Sequence, residues 1–241
     1  MFAQFHQGSA DQGLILHLAR FQSPPQSEAE LLGHAGGLAG KTFEQAAAEA
    51  GIALPADPKR AKGWAGEIAE VCLGATAASL AEPDFQFIAV ELKTLPLGKN
   101  GLPKESTYVC TVALTELPGR RWEDSPVKRK LNRVLWLPVE ADNSILFRQR
   151  RFGSAFLWSP TAEQETILKN DWNELMEMVS LGRLNEISSA YGEYLQIRPK
   201  AANARALGKS FDEEGRAIET LPRGFYLRTV FTKQILEKHN G

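Results

Sequence analysis

A short segment with two carboxylates and an amine most constrains what this 241-residue chain can fold into. From Phe87 to Lys93 apolar and polar side chains alternate, and in a strand Glu91 and Lys93 lie on the same face. Asp84 precedes this segment closely enough for a bend to bring its carboxylate beside that of Glu91. The pattern therefore predicts a strand with one packed face and one charged face.

These three side chains have the chemistry of a magnesium-dependent phosphodiesterase. Mg²⁺ prefers hard oxygen ligands and binds a phosphate alongside one or two carboxylates. The predicted metal ligands are Asp84 and Glu91, and Lys93 is placed to orient the attacking water or to stabilise developing charge. The alternative is an ordinary solvated strand edge, where alternating charges limit aggregation and Pro-Asp opens a turn.

The charge distribution leaves room for a nucleic-acid surface. The net charge is −1, so the whole chain carries no basic signature, and 43% hydrophobic residues suffice for a real core. Residues 119–151, however, hold nine Lys and Arg against four Asp and Glu, whereas residues 1–58 are acidic. The basic stretch predicts phosphate contacts, and its alternative is a solvated loop and helix face.

The cysteines and histidines indicate the cellular compartment and limit which kinds of metal or catalytic site the chain can form. Cys72 and Cys110 lack metal-ligand spacing and lie in apolar surroundings, which is typical of buried thiols in a reducing compartment. No apolar run reaches membrane-spanning length, and residues 1–22 lack the basic leader of a signal peptide. A cytoplasmic protein is therefore expected. The four histidines stand apart, so neither a zinc site nor a Ser-His triad is supported.

Periodicity predicts helices around a central mixed sheet, hence an α/β fold. The predicted helices begin at Ser27 (ending near Gly36-Gly37), at Thr42 (ending at Gly51), at 62 (ending at 73), at Thr161, at 201 and at Thr232. The predicted strands are 86–93, 107–114, 133–139, 193–198 and 224–228.

Three further places carry polar groups that suggest function. Glu70 borders the apolar stripe of the helix at 62–73, so it is either an extra carboxylate aimed at a cleft or a solvated helix residue. The segments 196–205 and 221–228 mix Arg, Lys and Tyr with turn formers. Such groups can donate to phosphates or base edges, although Pro-Arg-Gly is also an ordinary turn.

Six motifs together resemble a known family, the MutH methyl-directed mismatch-repair endonucleases, which are related to type II restriction enzymes. The resemblance covers nearly the whole chain from about Pro24 onward. The motifs are Lys62-Gly63-Trp64-x-Gly66-x-x-x-Glu70, Asp84-Phe85, Val90-Glu91-Leu92-Lys93-Thr94, Lys130-Leu131-x-Arg133-Val134-Leu135-Trp136, Gly192-Glu193-Tyr194-Leu195-Gln196-Ile197-Arg198-Pro199-Lys200-Ala201-Ala202-Asn203-Ala204 and Leu221-Pro222-Arg223-Gly224-Phe225-Tyr226-Leu227.

The resemblance implies a restriction-endonuclease-like fold in which two lobes form a cleft for double-stranded DNA. It also implies Mg²⁺ as cofactor and nicking of the unmethylated strand at hemimethylated GATC sites. Activation would come from MutL, with MutS acting upstream. A monomer is expected.

Residue roles follow from the same resemblance. Asp84 and Glu91 resemble the metal ligands and Lys93 the catalytic lysine, while Glu70 resembles an additional acidic residue of the site and Lys130 a residue near the scissile phosphate. Contact with DNA is implied for Lys62, Arg198, Lys200, Arg223 and Tyr226, and of these Arg198, Lys200 and Tyr226 would contact GATC or sense adenine methylation.

Two parts of the chain depart from the family pattern. Residues 1–22 extend beyond its typical start and are interpreted as a disordered tail or a partner-binding segment, which leaves 23–241 as one endonuclease domain of two lobes. Lys128-Arg129 replaces a more histidine-containing run but stays basic.

Three other functions remain open from the sequence. The first is a stand-alone GATC-specific type II restriction endonuclease that cuts both strands without MutL. The second is a DNA-binding module without catalysis, against which the intact Asp84, Glu91 and Lys93 argue. The third is a protein whose main role is to dock a partner.

Overall fold

The computed structural model describes residues 22–55, 63–77, 82–115, 119–200 and 207–240. The helices within these ranges are α1 (Glu28–Leu38), α2 (Phe43–Ala50), α3 (Trp64–Leu73), α4 (Pro126–Leu131), α5 (Ala162–Ser180) and α6 (Thr229–Asn240). The strands are β1 (Glu91–Leu97), β2 (Thr107–Thr111), β3 (Val134–Glu140), β4 (Phe156–Trp158), β5 (Leu195–Pro199), β6 (Gly208–Phe211), β7 (Ala217–Thr220) and β8 (Arg223–Leu227). Most of the predicted extension at 1–22, the predicted DNA contact Lys62 and the helix expected from 201 fall outside the described residues.

The strands form a mixed sheet, a separate antiparallel sheet and a hairpin. In the mixed sheet β1 pairs with β3 in parallel and β3 pairs with β4 antiparallel. The second sheet has the order β2-β8-β5, and β6 pairs only with β7. The predicted α/β fold with a mixed sheet among helices is therefore confirmed. The placement of 107–114 in the central sheet was wrong, because β2 takes its hydrogen bonds from β8 rather than from β1.

Strand β3 lies between two hydrophobic cores, so both of its faces are buried. Leu135 and Leu137 pack with α1, α2 and α3 in one core, whereas Val134 and Trp136 pack with α5, α6 and the second sheet in the other. This alternation is the two-residue period of a strand. In β1, Leu95 belongs to the second core, so the odd-numbered face of β1 is turned toward the second sheet. The two cores therefore lie on opposite faces of the mixed sheet.

The strand predicted at 86–93 begins only at Glu91, which corrects the boundary. Gln86–Ile88 form a single 3₁₀ turn, and Ala89 follows with φ of 52°, in the left-handed region. The chain closes on itself here, since the Phe85 amide donates to the Val90 carbonyl at 2.9 Å. Phe87 is consequently 72% exposed, so the alternation read from 87 to 90 does not describe a strand.

Other boundaries differ where local signals were weak. Helix α1 continues through both predicted stop glycines to Leu38, and α6 begins three residues before Thr232. Strand β4 and the β6–β7 hairpin were not predicted, because β4 has only three residues and the hairpin carries few buried side chains. By contrast, the capping boxes at Thr42 and Thr161 form as predicted, each with a side-chain and a backbone hydrogen bond.

A long-range ion pair links helix α1 to the start of β3, the middle strand of the mixed sheet. Arg133 donates from Nε and Nη2 to the two carboxylate oxygens of Glu28, at 2.7 and 2.6 Å. The same residue's carbonyl accepts the Glu91 amide at 2.9 Å. The hydrogen bonds from Arg133 hold the pKa of Glu28 below its ordinary value. This pair therefore joins α1 to the residue at which β1 begins.

We expect Glu28→Gln to lower the free energy of unfolding by about 0.5–1 kcal/mol at neutral pH, since the pair is bidentate but partly exposed. Because the folded-state pKa of Glu28 lies below its ordinary 4.5, the stabilisation is full above pH 4.5 and disappears as pH falls through the lowered value. Urea unfolding of both proteins at several pH values measures this. Glu44→Gln, which removes a single exposed contact to Arg148, is the matched control. A difference that persists unchanged at pH 3 would contradict the role of the charge.

Candidate active site

Glu91 is a buried carboxylate held by two lysines. It is 2% exposed at the start of β1, where its amide donates to the carbonyl of Arg133, the residue before β3. Both of its oxygens accept from Lys130 Nζ, at 3.0 and 2.9 Å, and one also accepts from Lys93 Nζ at 2.5 Å. A buried charge requires such pairing, because its transfer from water costs several kcal/mol.

Lys130 reaches this site because α4 is a short helix with a well-defined N-terminal cap. Ser125 caps the helix by accepting the Lys128 amide at 3.1 Å, and Pro126 occupies the first helical position. One turn later Lys130 projects from the helix and also donates to the carbonyl of Glu82 at 3.1 Å. The structure therefore brings together Lys130 and Glu91, which are 39 residues apart in sequence.

Hydrogen bonds to both its side chain and its backbone carbonyl hold Asp84 in position. Its side-chain Oδ2 accepts the Leu92 amide at 2.8 Å, while its own carbonyl accepts the amides of Thr76 and Ala77 at 2.9 and 3.3 Å. The 3₁₀ turn makes this possible by folding the chain back, so the expected bend is present. Burial raises the pKa of Asp84, and the charge of Glu91 raises it further. The two carboxylates therefore share one electrostatic environment.

Glu70 adds a third carboxylate from the last turn of α3. Burial raises its pKa to about 7, with further contributions from the charges of Asp84, Glu67 and Glu91. Lys93 acts in the opposite direction. Glu70 is therefore partly buried and within electrostatic reach of Asp84, Glu91 and Lys93, and its role in the site stays a prediction.

The donor set fits a hard divalent cation. Asp84 and Glu91 supply carboxylate oxygens. Burial is the larger cause of the raised pKa of Asp84, and the like charge of Glu91, which a cation would offset, adds to it. Across the described ranges no group of three or more His, Cys, Asp or Glu side chains forms a ready-made metal cluster. Two carboxylates can hold a hard divalent cation whose remaining positions are filled by water and a substrate phosphate.

A second polar surface lies on the exposed face of the β2-β8-β5 sheet. Tyr226 in the middle strand stands opposite Tyr108 on one side and Gln196 on the other. The two tyrosine rings meet edge to face, with centroids 5.4 Å apart. The opposite face of the same strands carries Phe225 and Leu227, which are buried in the core. One face therefore packs and the other presents aromatic and polar groups.

Two cations complete this surface, which we call the aromatic–basic face and define by Tyr108, Arg198, Lys200 and Tyr226. The Arg198 guanidinium lies 5.7 Å from the Tyr226 ring centroid and donates to the Ser106 hydroxyl at 2.6 Å. The Lys200 ammonium lies 4.9 Å from the Tyr108 centroid. Cations over rings at these distances are attracted by the ring quadrupole. Three predicted DNA contacts thus lie together.

The remaining predicted DNA contact in the described residues, Arg223, lies elsewhere. Arg223 and Phe225 are two positions apart in β8, so their side chains project from the same face of the strand. The Nε of Arg223 is buried and has no hydrogen-bond partner within the described structure, and burial lowers the pKa of Arg223. The structure therefore does not bring Arg223 to the aromatic–basic face.

Sequence reasoning missed several residues of these surfaces. Tyr108 lies in the predicted strand 107–114, and its alternation with the buried Val109 is the signal that could have identified it as a surface residue. Ser106 and Thr111, which bond Arg198 and Tyr108, carry no distinguishing sequence signal.

Known proteins resemble this chain over nearly its whole length. Residues 73–171 match the family model described as DNA mismatch repair enzyme MutH. The chain is 51% identical over 215 residues to the DNA mismatch repair protein MutH of Vibrio parahaemolyticus, and 52% over 215 residues to that of Vibrio campbellii, in each case over 89% of this chain and 95% of the relative. It is 50% identical over 217 residues to the Escherichia coli O6:K15:H31 protein of the same name, over 90% and 95%. With this similarity along nearly the full length of its relatives, the chain belongs to the MutH family of DNA mismatch-repair endonucleases.

Proposed function

We propose that this endonuclease nicks the unmethylated strand at hemimethylated GATC sites, that it requires Mg²⁺ and that MutL activates it. The observation that carries the proposal is the buried cluster of Glu91 with Lys93 and Lys130, beside Asp84. A buried carboxylate with two amines and a second carboxylate has little structural purpose, because an apolar group in its place would cost less to bury. It suits phosphodiester hydrolysis.

The proposed roles follow from position and charge. Asp84 and Glu91 would hold Mg²⁺, which when bound supplies Lewis-acid stabilisation of the phosphate and a more acidic water. Lys93 lies beside Glu91 and can orient the attacking water or face the developing negative charge. Lys130 fixes the Glu91 carboxylate from the other side and adds positive charge near the phosphate. Glu70 contributes the third carboxylate of the site.

Sequence recognition is assigned to the aromatic–basic face. Arg198 and Lys200 supply charge for phosphates or guanine edges, and the Tyr226 ring offers an apolar surface against which a base or its methyl group can pack. Lys62 and Arg223 remain proposed DNA contacts. Arg223 is partly exposed, although its Nε is buried, and it lies on the other face of β8 from Tyr226.

The wider assignments rest on the family. Residues 23–241 form one endonuclease unit of two lobes that works as a monomer in the cytoplasm, with MutS acting upstream of MutL. Residues 1–22 remain assigned to a tail or partner-binding segment. Within the described residues no helix is long and apolar enough to cross a membrane. Nothing favours the stand-alone restriction endonuclease, since the relatives compared bear mismatch-repair names.

The proposal is tested by nicking of a hemimethylated GATC duplex with and without Mg²⁺ and with and without MutL, scoring each strand separately. We expect cleavage that needs Mg²⁺, rises with MutL and is confined to the unmethylated strand. A duplex with the GATC sequence scrambled is the control. MutL-independent cutting of both strands would refute the repair role and favour a restriction enzyme.

Tyr226→Ala should reduce discrimination between methylated and unmethylated GATC by about tenfold, while the rate on the unmethylated strand changes less. Contact with a single methyl group is worth roughly 10–200-fold in an apolar pocket, so loss of the ring removes an effect of this size. The ratio of nicking rates on the two duplexes measures it. Tyr226→Phe keeps the ring and should keep the ratio. Equal loss on both duplexes after Tyr226→Ala would exclude Tyr226 as the methyl sensor.

A further inference from the structure

Gly224 occupies the centre of the aromatic–basic face. It lies in the middle strand β8, between Thr111 of β2 and Arg198 of β5, and two residues before Tyr226. Because positions 224 and 226 share a face of the strand, any side chain at 224 would emerge beneath the tyrosine rings.

The space above Gly224 is already filled by these rings. A Cβ atom at this position would lie 2.9 Å from Tyr108 Cε2 and 3.1 Å from Tyr226 Cε2. A real Cβ essentially never approaches a heavy atom below 3.0 Å. The absence of a side chain therefore lets both rings lie directly on the strand.

Backbone conformation does not explain this glycine. Gly224 is absent from the glycines with positive φ in the described chain, so an alanine fits the backbone without strain. A glycine inside a strand also weakens it and often marks close approach of another group. Here the approaching groups are the two rings, and the requirement for glycine is one of space.

The rings could not move aside freely. The Tyr108 hydroxyl is hydrogen-bonded to Thr111 Oγ1 at 2.9 Å and lies 3.4 Å from Lys200 Nζ. The Tyr226 ring carries the Arg198 guanidinium above it. A methyl group at 224 would therefore tilt the rings about these anchors and change the height of the surface that they present. The atoms that must yield are side-chain ring atoms rather than backbone, so the sheet itself is spared.

We propose that Gly224 is a positioning residue that sets the height of the Tyr108 and Tyr226 rings, and thereby the discrimination between methylated and unmethylated adenine. This inference rests on the proposed function, because it assumes that the aromatic–basic face reads the GATC site. It adds a residue that contacts no DNA itself and acts only through the two rings. Discrimination of a single methyl group depends on close packing, so a displaced ring should lose it.

The test compares Gly224→Ala with Gly208→Ala, using the full chain. Gly208 also lies in a strand, but a Cβ there meets nothing closer than 4.0 Å. Nicking rates are measured on duplexes that differ only in adenine methylation, together with the melting temperature. We expect Gly224→Ala to lower the ratio of rates by about tenfold with a melting temperature within a few degrees of wild type. Gly208→Ala should change neither.

The outcomes separate this inference from the proposed function. If the wild-type protein discriminates and Gly224→Ala discriminates equally well, the positioning role is refuted and the proposed specificity stands. If the wild-type protein does not discriminate, both fail. An equal loss on every duplex, or a melting temperature lowered well beyond the Gly208→Ala control, would show that Gly224 supports the sheet and would overturn the positioning role.

Discussion

Asp84→Asn is expected to lower the nicking rate by about 10³-fold or more and to leave DNA binding nearly unchanged. Metal-ion catalysis supplies several kcal/mol of transition-state stabilisation, and each 1.36 kcal/mol is a factor of ten. The amide keeps an oxygen that can accept the Leu92 amide, so the loop should hold its position. What is lost is the negative charge that would hold Mg²⁺.

The measurement is a single-turnover nicking rate together with DNA affinity in Ca²⁺ or without metal. Asp142→Asn is the matched control, because this carboxylate accepts hydrogen bonds from Ser144 on a surface loop and should show wild-type activity. If affinity for the duplex falls in parallel with the nicking rate after Asp84→Asn, Asp84 serves binding rather than chemistry and its assignment is wrong.

Glu91 is a less suitable position for this experiment. Its carboxylate neutralises Lys93 and Lys130 in a buried site, and removing one partner of such a pair costs about 3–5 kcal/mol. Glu91→Ala should therefore lose nicking and also lower the free energy of unfolding. A loss of activity in that variant mixes two causes, which Asp84→Asn separates.

Asp171→Ala should lower the free energy of unfolding by about 4 kcal/mol or more. Asp171 is buried in α5 and accepts three backbone amides, from Glu193, Tyr194 and Leu195, at 2.8, 2.7 and 2.8 Å. Without the carboxylate these donors lose their partner, and each buried unsatisfied group costs about 1–3 kcal/mol. Asp171→Asn should lose less, because one oxygen remains.

Glu174→Ala is the matched control, since it lies one turn along the same helix and contacts the same loop. Glu174 is exposed and accepts only the Gly192 amide, at 3.0 Å. Its loss should cost less than about 1 kcal/mol. Urea unfolding of the three variants tests the comparison. Equal destabilisation by Asp171→Ala and Glu174→Ala would show that the loop, rather than the buried carboxylate, sets the stability.

The hydrogen bonds to Asp171 also help to position the aromatic–basic face, which is proposed to recognise DNA. They fix the turn that starts with Gly192, at φ of 73°, where a Cβ would lie 2.0 Å from the Leu195 carbonyl oxygen. Strand β5 begins directly after this turn and carries Arg198 to the aromatic–basic face. A variant that loosens the turn should therefore weaken DNA discrimination as well as stability.

Features fixed by neighbouring residues were predictable from the sequence. The helices that begin at Thr42 and Thr161 formed as expected, because a capping box is made within four residues. The apolar residues of β3 also predicted a buried strand, because this pattern lies within seven consecutive residues. The bend that brings Asp84 beside Glu91 was also expected, since only six residues separate them.

Contacts between distant segments were decided only by the tertiary structure. The sequence did not place Lys130 on Glu91, Arg133 on Glu28 or Tyr108 against Tyr226, and it gave no sign of the role of Asp171. Each of these contacts joins residues more than twenty positions apart. Their partners are selected by how the two cores pack against the sheets, and local periodicity carries no information about that choice. Sequence therefore determined which residues could do the chemistry, and packing determined which of them meet.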